Sequence, residues 1–249
     1  MPLPSTVSYI PPDNERHPDY KPVPPTVQAL PVQESGVRPS RALPYELHVR
    51  ARTDLKSEEV HISFGNTGKV AAVYQVYSAS SQSGPWTYTV APDTELSDRW
   101  NIALDGQTNY HLSVFGPNGF LRVFKGSIAS GKANIASSLS CDVHSNGVVL
   151  GTHNRSGNPV EITVSDSYSH KKIEFKLEGQ QERSEFWALE KSDGWYDFRI
   201  ATSSDSSVQH RLAGHLETGR DSITDPALGT VHPPEETSLN QRATSSVEV

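Results

Sequence analysis

The sequence predicts an all-β protein: two antiparallel β-sandwiches in tandem, between a proline-rich N-terminal linker and a disordered C-terminal tail. Three observations predict it. Apolar and polar residues alternate with a period of two through most of the middle, the signature of half-buried strands. Turn-forming Gly, Pro, Asn and Asp separate these runs at short intervals. The middle also repeats itself: Asn66 recurs as Asn154, Trp100 as Trp187, Tyr110 as Tyr196 and Gly126 as Gly214, at offsets of 88, 87, 86 and 88 residues.

Residues 1–44 read as a linker. Of 18 prolines, 11 lie in residues 1–45. Proline fits neither helix interiors nor central strands, so YKPVPPTVQALPVQ is expected to be an extended, polyproline-like strap or plain coil. From Tyr45 the texture changes. In YELHVRART, Tyr45, Leu47, Val49 and Ala51 alternate with Glu46, His48, Arg50 and Arg52. Val60, Ile62 and Phe64 share one face of VHISF, and Tyr110, Leu112 and Val114 one face of YHLSV. In FLRVF, Phe120, Arg122 and Phe124 oppose Leu121 and Val123. Further runs cover 70–77 and 86–90. Between them stand the turns Asn66-Thr67-Gly68, Ser83-Gly84-Pro85, Asp105-Gly106 and Gly116-Pro117-Asn118-Gly119.

A period near 87 is too long for a solenoid unit and suits a small seven-stranded, immunoglobulin-like sandwich. The first repeat is therefore expected over 45–130 and the second over 137–218, joined by the small, flexible SIASGKANIASS. Residues 219–249, rich in Ser, Thr, Pro and Glu, are expected to be disordered. Trp100 with Trp187 and Tyr110 with Tyr196, matched across the repeats, are read as core residues.

The formal net charge of −7 argues against a nucleic-acid partner, which needs a basic surface to displace counterions. No apolar run reaches the length of a membrane-spanning helix. MPLPSTVSYI lacks the basic and apolar regions of a signal peptide, so the chain as written is expected to carry no export signal of its own. A single cysteine, Cys141, excludes an intrachain disulfide and a Cys-rich metal site.

Motifs that would carry chemistry are weak. Gly126-Ser-Ile-Ala-Ser-Gly131-Lys132 has P-loop spacing, but Ala133 replaces the metal-binding hydroxyl and a strand follows where a helix is required. Cys141, Asp142 and His144, with His153, lack the converging second cluster that zinc requires. No nucleophile elbow is present. Asn154-Arg155-Ser156 fits the N-glycosylation pattern on a predicted turn. Trp86, Tyr88 and Phe120 stand beside turns without evident counterparts in the second repeat. They are candidate surface aromatics for a ligand, a lipid interface or another domain. No catalytic, cofactor-binding or metal-binding residue is assigned.

Several strings resemble a known family: VQALPVQESGVRPSRALPYELHV, FGNTG, YTVAPDTELSDRW, YHLSVFGPNGFLRVFKG, GWYDFRI and HRLAGHLETGRDSITDPALG, spread over about residues 22–229. They are similar to the junction and two C-terminal repeat domains of bacterial and fungal phosphocholine-preferring phospholipases C of the acid-phosphatase-like type. The resemblance implies a secreted or periplasmic setting and a family reaction that cleaves the phosphodiester of phosphatidylcholine or sphingomyelin. It also implies that the metal-dependent catalytic machinery belongs to a large N-terminal domain, none of whose residues has a position here.

The expected function is thus a non-catalytic accessory module. It would stabilise or orient a phospholipase C catalytic domain, or its phospholipid surface. Arg38, Arg41, Leu43 and Tyr45 are the candidate partner-docking residues, with residues 22–45, Leu30 and Val32 among them, ordered only against that partner. The alternative is a free-standing β-sandwich binding module for carbohydrate or protein, which requires an exposed aromatic platform or an open edge strand.

Overall fold

The computed structural model describes residues 36–79 and 84–229. The proline-rich stretch before residue 36, with Leu30 and Val32, and the tail from residue 230 lie outside the described residues. The chain is all-β, with 3-10 turns and no α-helix among the described residues. A short strand β1 (Pro39–Ser40) leads into seven strands: β2 (Leu47–Asp54), β3 (Glu59–Asn66), β4 (Ala72–Ser78), β5 (Trp86–Val90), β6 (Thr94–Asn101), β7 (Asn109–Phe115) and β8 (Leu121–Ser127). Seven more follow: β9 (Ile135–Asp142), β10 (Gly147–Asn154), β11 (Val160–Asp166), β12 (Lys172–Leu177), β13 (Glu182–Ala188), β14 (Trp195–Thr202) and β15 (Gln209–His215). A last short strand, β16 (Ser222–Ile223), is followed by a 3-10 turn at Pro226–Gly229.

In the first repeat, β2-β3-β6 faces β8-β7-β4-β5; in the second, β9-β10-β13 faces β15-β14-β11-β12. The alternation read from sequence places the inner faces. Val60, Ile62 and Phe64 are fully buried, as are Val148, Ile162, Phe198 and Leu212 in the second core. Burial of each such side chain contributes roughly 1.5–3 kcal/mol.

The residues that mark the repeat do equivalent work in both halves. Asn66 Nδ2 donates to the carbonyls of Val70 at 2.8 Å and Val90 at 3.1 Å, and its Oδ1 accepts the Gly68 N–H. Asn154 repeats this with Asn158, Leu177 and the Ser156 N–H. Each Asn thus ties a hairpin turn to the end of the strand opposite. Asn154 is 0% exposed, so its amide nitrogen is not open to glycosylation, contrary to the exposed turn expected from sequence. Tyr110 pairs across strands with Gly126, and Tyr196 with Gly214. A Cβ on Gly126 would collide with Tyr110 Oη, and one on Gly214 would meet Tyr196 Oη at 2.8 Å. The glycine is required because the tyrosine ring lies over it.

The tryptophans diverge. Trp187 is buried against Phe198, with Lys171 Nζ 4.5 Å above its ring. Trp100 is only half-buried, edge-on to Trp86 and Tyr88. The equivalents of those two aromatics are the smaller Ile173 and Phe175, as the matching strand registers show.

The repeats are not separate beads. β8 pairs antiparallel with β15, with Val123 opposite Arg211, so the two four-stranded sheets fuse into one of eight, ordered β12-β11-β14-β15-β8-β7-β4-β5. The order is a palindrome of equivalent strands. Val123 and Arg211 are themselves repeat-equivalent, so the junction has the form of a two-fold interface within one chain. On the other layer β2 runs beside β9, and the Asn134 amide reaches the Thr53 carbonyl at 3.5 Å. The connection between repeats, expected to be flexible, is held in place. Ser127 and Ile128 are buried, and Asp205 accepts the Ala133 N–H at 3.0 Å and lies 3.6 Å from Lys132 Nζ. Lys132, the lysine of the P-loop-like string, is engaged there.

The strap and the tail also depart from expectation. β1 pairs with β16, the Thr224 N–H donates to the Arg38 carbonyl while the Arg38 N–H donates to Thr224 Oγ1, and residues 219–229 fold against the body. Order therefore begins before Leu43 and extends past residue 219, because these two segments pair with each other.

Candidate functional site

The sequence-nominated docking residues lie along the strap. Arg38 and Arg41 are exposed, and Leu43 and Tyr45 are half-buried. The strap is fastened to its own chain. The Ala42 N–H donates to Asp221 Oδ1, and the Leu43 N–H donates to Glu217 Oε2, both at 3.2 Å. The Lys69 N–H donates to the Pro44 carbonyl, and Gly68 makes the crossing possible, since a Cβ there would sit 2.6 Å from that carbonyl oxygen. Residues 36–45 are thus fastened within this chain, by Glu217 of the second repeat and by Asp221 just beyond it.

Glu217 is the centre of this clasp. Its Oε1 accepts Asn118 Nδ2 from the first repeat at 2.6 Å and faces His215 Nδ1 at 3.0 Å. Burial alone would raise its carboxyl, but the bonds from His215, Asn118 and the Leu43 N–H outweigh burial and hold it below the ordinary value. One carboxylate thereby joins the strap, the first-repeat hairpin tip and the second repeat. Beside it is a cavity of about 30 Å³, room for a single water, lined in part by Tyr45, Phe120, Cys141 and Tyr196. Cys141 takes the position of Thr53 in the repeat. Burial pushes its thiol up to about 11, so it stays protonated at neutral pH and is a poor nucleophile. Asp142 Oδ1 accepts the Ser145 N–H in a turn.

Packed on Phe120 and Tyr196, two of the lining residues, is Arg122, which the sequence marks only as a member of an alternating run. It is 1% exposed. One terminal nitrogen donates to the carbonyls of Leu121 at 2.8 Å and Ala213 at 2.7 Å, and the other to Tyr196 Oη at 3.0 Å. Its guanidinium carbon stands 4.1 Å from the centre of the Phe120 ring. The inner face of FLRVF is therefore the one carrying the arginine, and the second repeat covers it.

The sequence-nominated aromatics are not brought together as a surface. Phe120 is 6% exposed and belongs to the first core, which corrects its assignment as a surface anchor. Trp86 and Tyr88 are half-buried at the rim of that core. Tyr88 stacks on Phe64 and donates its hydroxyl to Asp98 at 2.5 Å. Tyr77 and Phe115 do face outward, 42% and 44% exposed, in edge-on contact with ring centres 5.5 Å apart, as does Phe186 by itself on β13. The signal of Tyr77 and Phe115 was legible in principle. They occupy the odd-numbered, outward positions of strands whose even-numbered residues form the core.

Beside them, across the junction, a groove of about 510 Å³ opens on the outer face of the eight-stranded sheet, lined in part by His111, Lys125, Arg199 and Arg211. Asp197 accepts from Arg211 Nε at 2.7 Å and from its terminal nitrogen at 2.8 Å, a two-bond pair. Among the described residues no group of three or more His, Cys, Asp or Glu is placed to hold a metal ion, and no helix is long and apolar enough to cross a membrane.

The chain matches the family model described as "Bacterial phospholipase C, C-terminal domain" twice, over residues 39–127 and 135–215. It is 40% identical over 232 residues to a non-hemolytic phospholipase C of Burkholderia pseudomallei, covering 92% of this chain and 33% of that protein. It is 37% identical over 217 residues to a non-hemolytic phospholipase C of Pseudomonas aeruginosa, covering 84% of this chain and 31% of that protein. A hemolytic phospholipase C of the same species is 32% identical over 226 residues, covering 81% and 31%. The chain spans about a third of the length of these curated relatives.

Proposed function

We propose, because the chain belongs to the family of bacterial phospholipase C C-terminal domains, that it is a non-catalytic accessory module that stabilises or orients a phospholipase C catalytic domain at its lipid substrate. The observation that carries this reading is the double family match, one per repeat, on a chain aligned to only about a third of each relative. The catalytic partner hydrolyses the phosphodiester of phosphatidylcholine or sphingomyelin to release phosphocholine, in a secreted or periplasmic setting. Arg41, Leu43 and Tyr45, with Arg38 before them, mark the side that faces the partner, where Arg41 is open to pair with a carboxylate. The repeats, 45–130 and 137–218, move as one body with the strap and the segment that clasps it.

The site chemistry supports a non-catalytic role. Cleaving a phosphodiester needs a nucleophile and cationic stabilisation of the transition state. Here the thiol is held protonated, and Arg122 is spent on two carbonyls and a tyrosine hydroxyl. A carbohydrate-binding reading finds less support. Trp195 is buried and donates its indole N–H to the Ile223 carbonyl, and Trp86 is edge-on to Trp100, so neither offers an open ring face.

The test is hydrolysis of a chromogenic phosphocholine ester and of phosphatidylcholine vesicles. The purified chain should be inactive by itself and should raise the thermal stability or vesicle turnover of the separately expressed catalytic part of a relative. Metal-stimulated turnover by the purified chain, or no effect on the catalytic part, overturns the reading.

A further inference from the structure

The outer face of the eight-stranded sheet is asymmetric where the two-fold-like junction would make it symmetric. One row of side chains crosses six strands in register: Tyr77, Ser113, Val123, Arg211, Arg199, Ser165. By repeat equivalence Tyr77 matches Ser165, Ser113 matches Arg199 and Val123 matches Arg211. In the neighbouring row Lys125 stands between His111 and Gln209. The first repeat thus offers an apolar, aromatic half, completed by Val73 and Phe115, both 44% exposed, and the junction offers a cationic half.

Arg199 and Arg211 are directly opposed, an arrangement that disfavours the sheet unless something else gains from it. Asp197 compensates Arg211 alone. Among the described residues, neither Lys125 nor Arg199 has a carboxylate within ion-pair distance. Both line the groove of about 510 Å³ on a chain whose net charge is −7.

We propose that this face docks on an anionic phospholipid surface, with headgroup phosphates in the groove against Lys125 and Arg199 and with Tyr77, Phe115 and Val73 at the interface. Cations beside half-exposed aromatic and aliphatic side chains on one broad face match a membrane–water boundary, where charge meets phosphate and aromatic rings sit at headgroup level. This rests on the accessory-module reading and names the surface it would use.

The test is flotation of the full chain with vesicles of phosphatidylcholine alone and with phosphatidylglycerol added. The chain should float with the anionic vesicles and be released by salt. Arg199→Glu should weaken binding on the order of tenfold, because each basic residue near such a surface is worth about fivefold. Tyr77→Ala should weaken it less. Neither should lower the melting temperature, since both side chains project from the sheet. Failure to float with anionic vesicles overturns the proposal. So does equal binding by Arg199→Glu, and so does saturable binding of inorganic phosphate without vesicle binding. Flotation is read without the catalytic part, so the two readings fail separately. A module that activates its enzyme without floating loses only this surface, and one that floats without affecting the enzyme loses only the accessory role.

Discussion

Arg122 brings a full charge into the junction, and its surroundings explain why that is tolerated. Two carbonyls, a tyrosine hydroxyl and the Phe120 ring face replace the water it leaves. Two of those partners, the Ala213 carbonyl and Tyr196, belong to the second repeat. Arg122→Ala should therefore cost about 3 kcal/mol in chemical denaturation, since it strands buried acceptors as well as removing volume. A loss below about 1 kcal/mol, the level of an ordinary surface change, would show that the junction does not depend on it. Its repeat equivalent is His210, fully buried beside Phe124. There Nδ1 lies 2.8 Å from Ser137 Oγ, and Nε2 has no partner among the described residues. Burial lowers this histidine from 6.5 to about 4. The unfolded chain thus accepts a proton that the folded one refuses. Stability should be full above about pH 6.5 and fall by up to about 3 kcal/mol as the pH drops toward 4. His210→Asn should flatten that slope in pH-dependent denaturation; an unchanged slope would assign it to other groups.

At the scale of elements, the clasp between the strap and β16 decides how the described chain is closed at both ends. Strands of two residues have little stability of their own, and here Glu217 and Asp221 supply the acceptors that hold the strap. Glu217→Ala should cost about 2 kcal/mol, because it removes a half-buried carboxylate serving several donors. It should also raise hydrogen exchange at the Leu43 amide while the β3 core amides stay protected. Uniform exchange across both would mean that the clasp and the body unfold together. The depressed Glu217 carboxyl adds to the acid sensitivity in the same direction as His210, since its contribution is lost as pH falls through its folded value.

For the whole molecule, a continuous sheet between the repeats predicts one cooperative transition. Thermal or denaturant unfolding followed by near- and far-UV signals should coincide, and two resolved transitions would show that the β8–β15 seam is weak. A fragment of residues 36–132 should associate or aggregate, because it exposes the β8 edge and leaves Arg122 without its second-repeat partners. A stable monomer of that fragment, seen by sedimentation, would contradict this.

The strands were legible from residues alone because alternation and turn chemistry act between near neighbours. Val60, Ile62 and Phe64 face the core as their spacing requires, and the turn after Asn66 forms around the Asn side chain that the repeat singled out. The duplication was legible because equivalent environments select equivalent residues: Asn66 with Asn154, Tyr110 over Gly126, Tyr196 over Gly214. The inner position of Arg122, the burial of Phe120 and the outward aromatics Tyr77 and Phe115 were decided by the tertiary structure. So were the clasp on Glu217 and the fusion of two sheets into one. The physical reason is range. The seam joins residues 88 positions apart, Val123 and Arg211, and no local pattern records which edge strand will be covered. An arginine in an alternating run fits either face until a second repeat arrives to supply its hydrogen bonds.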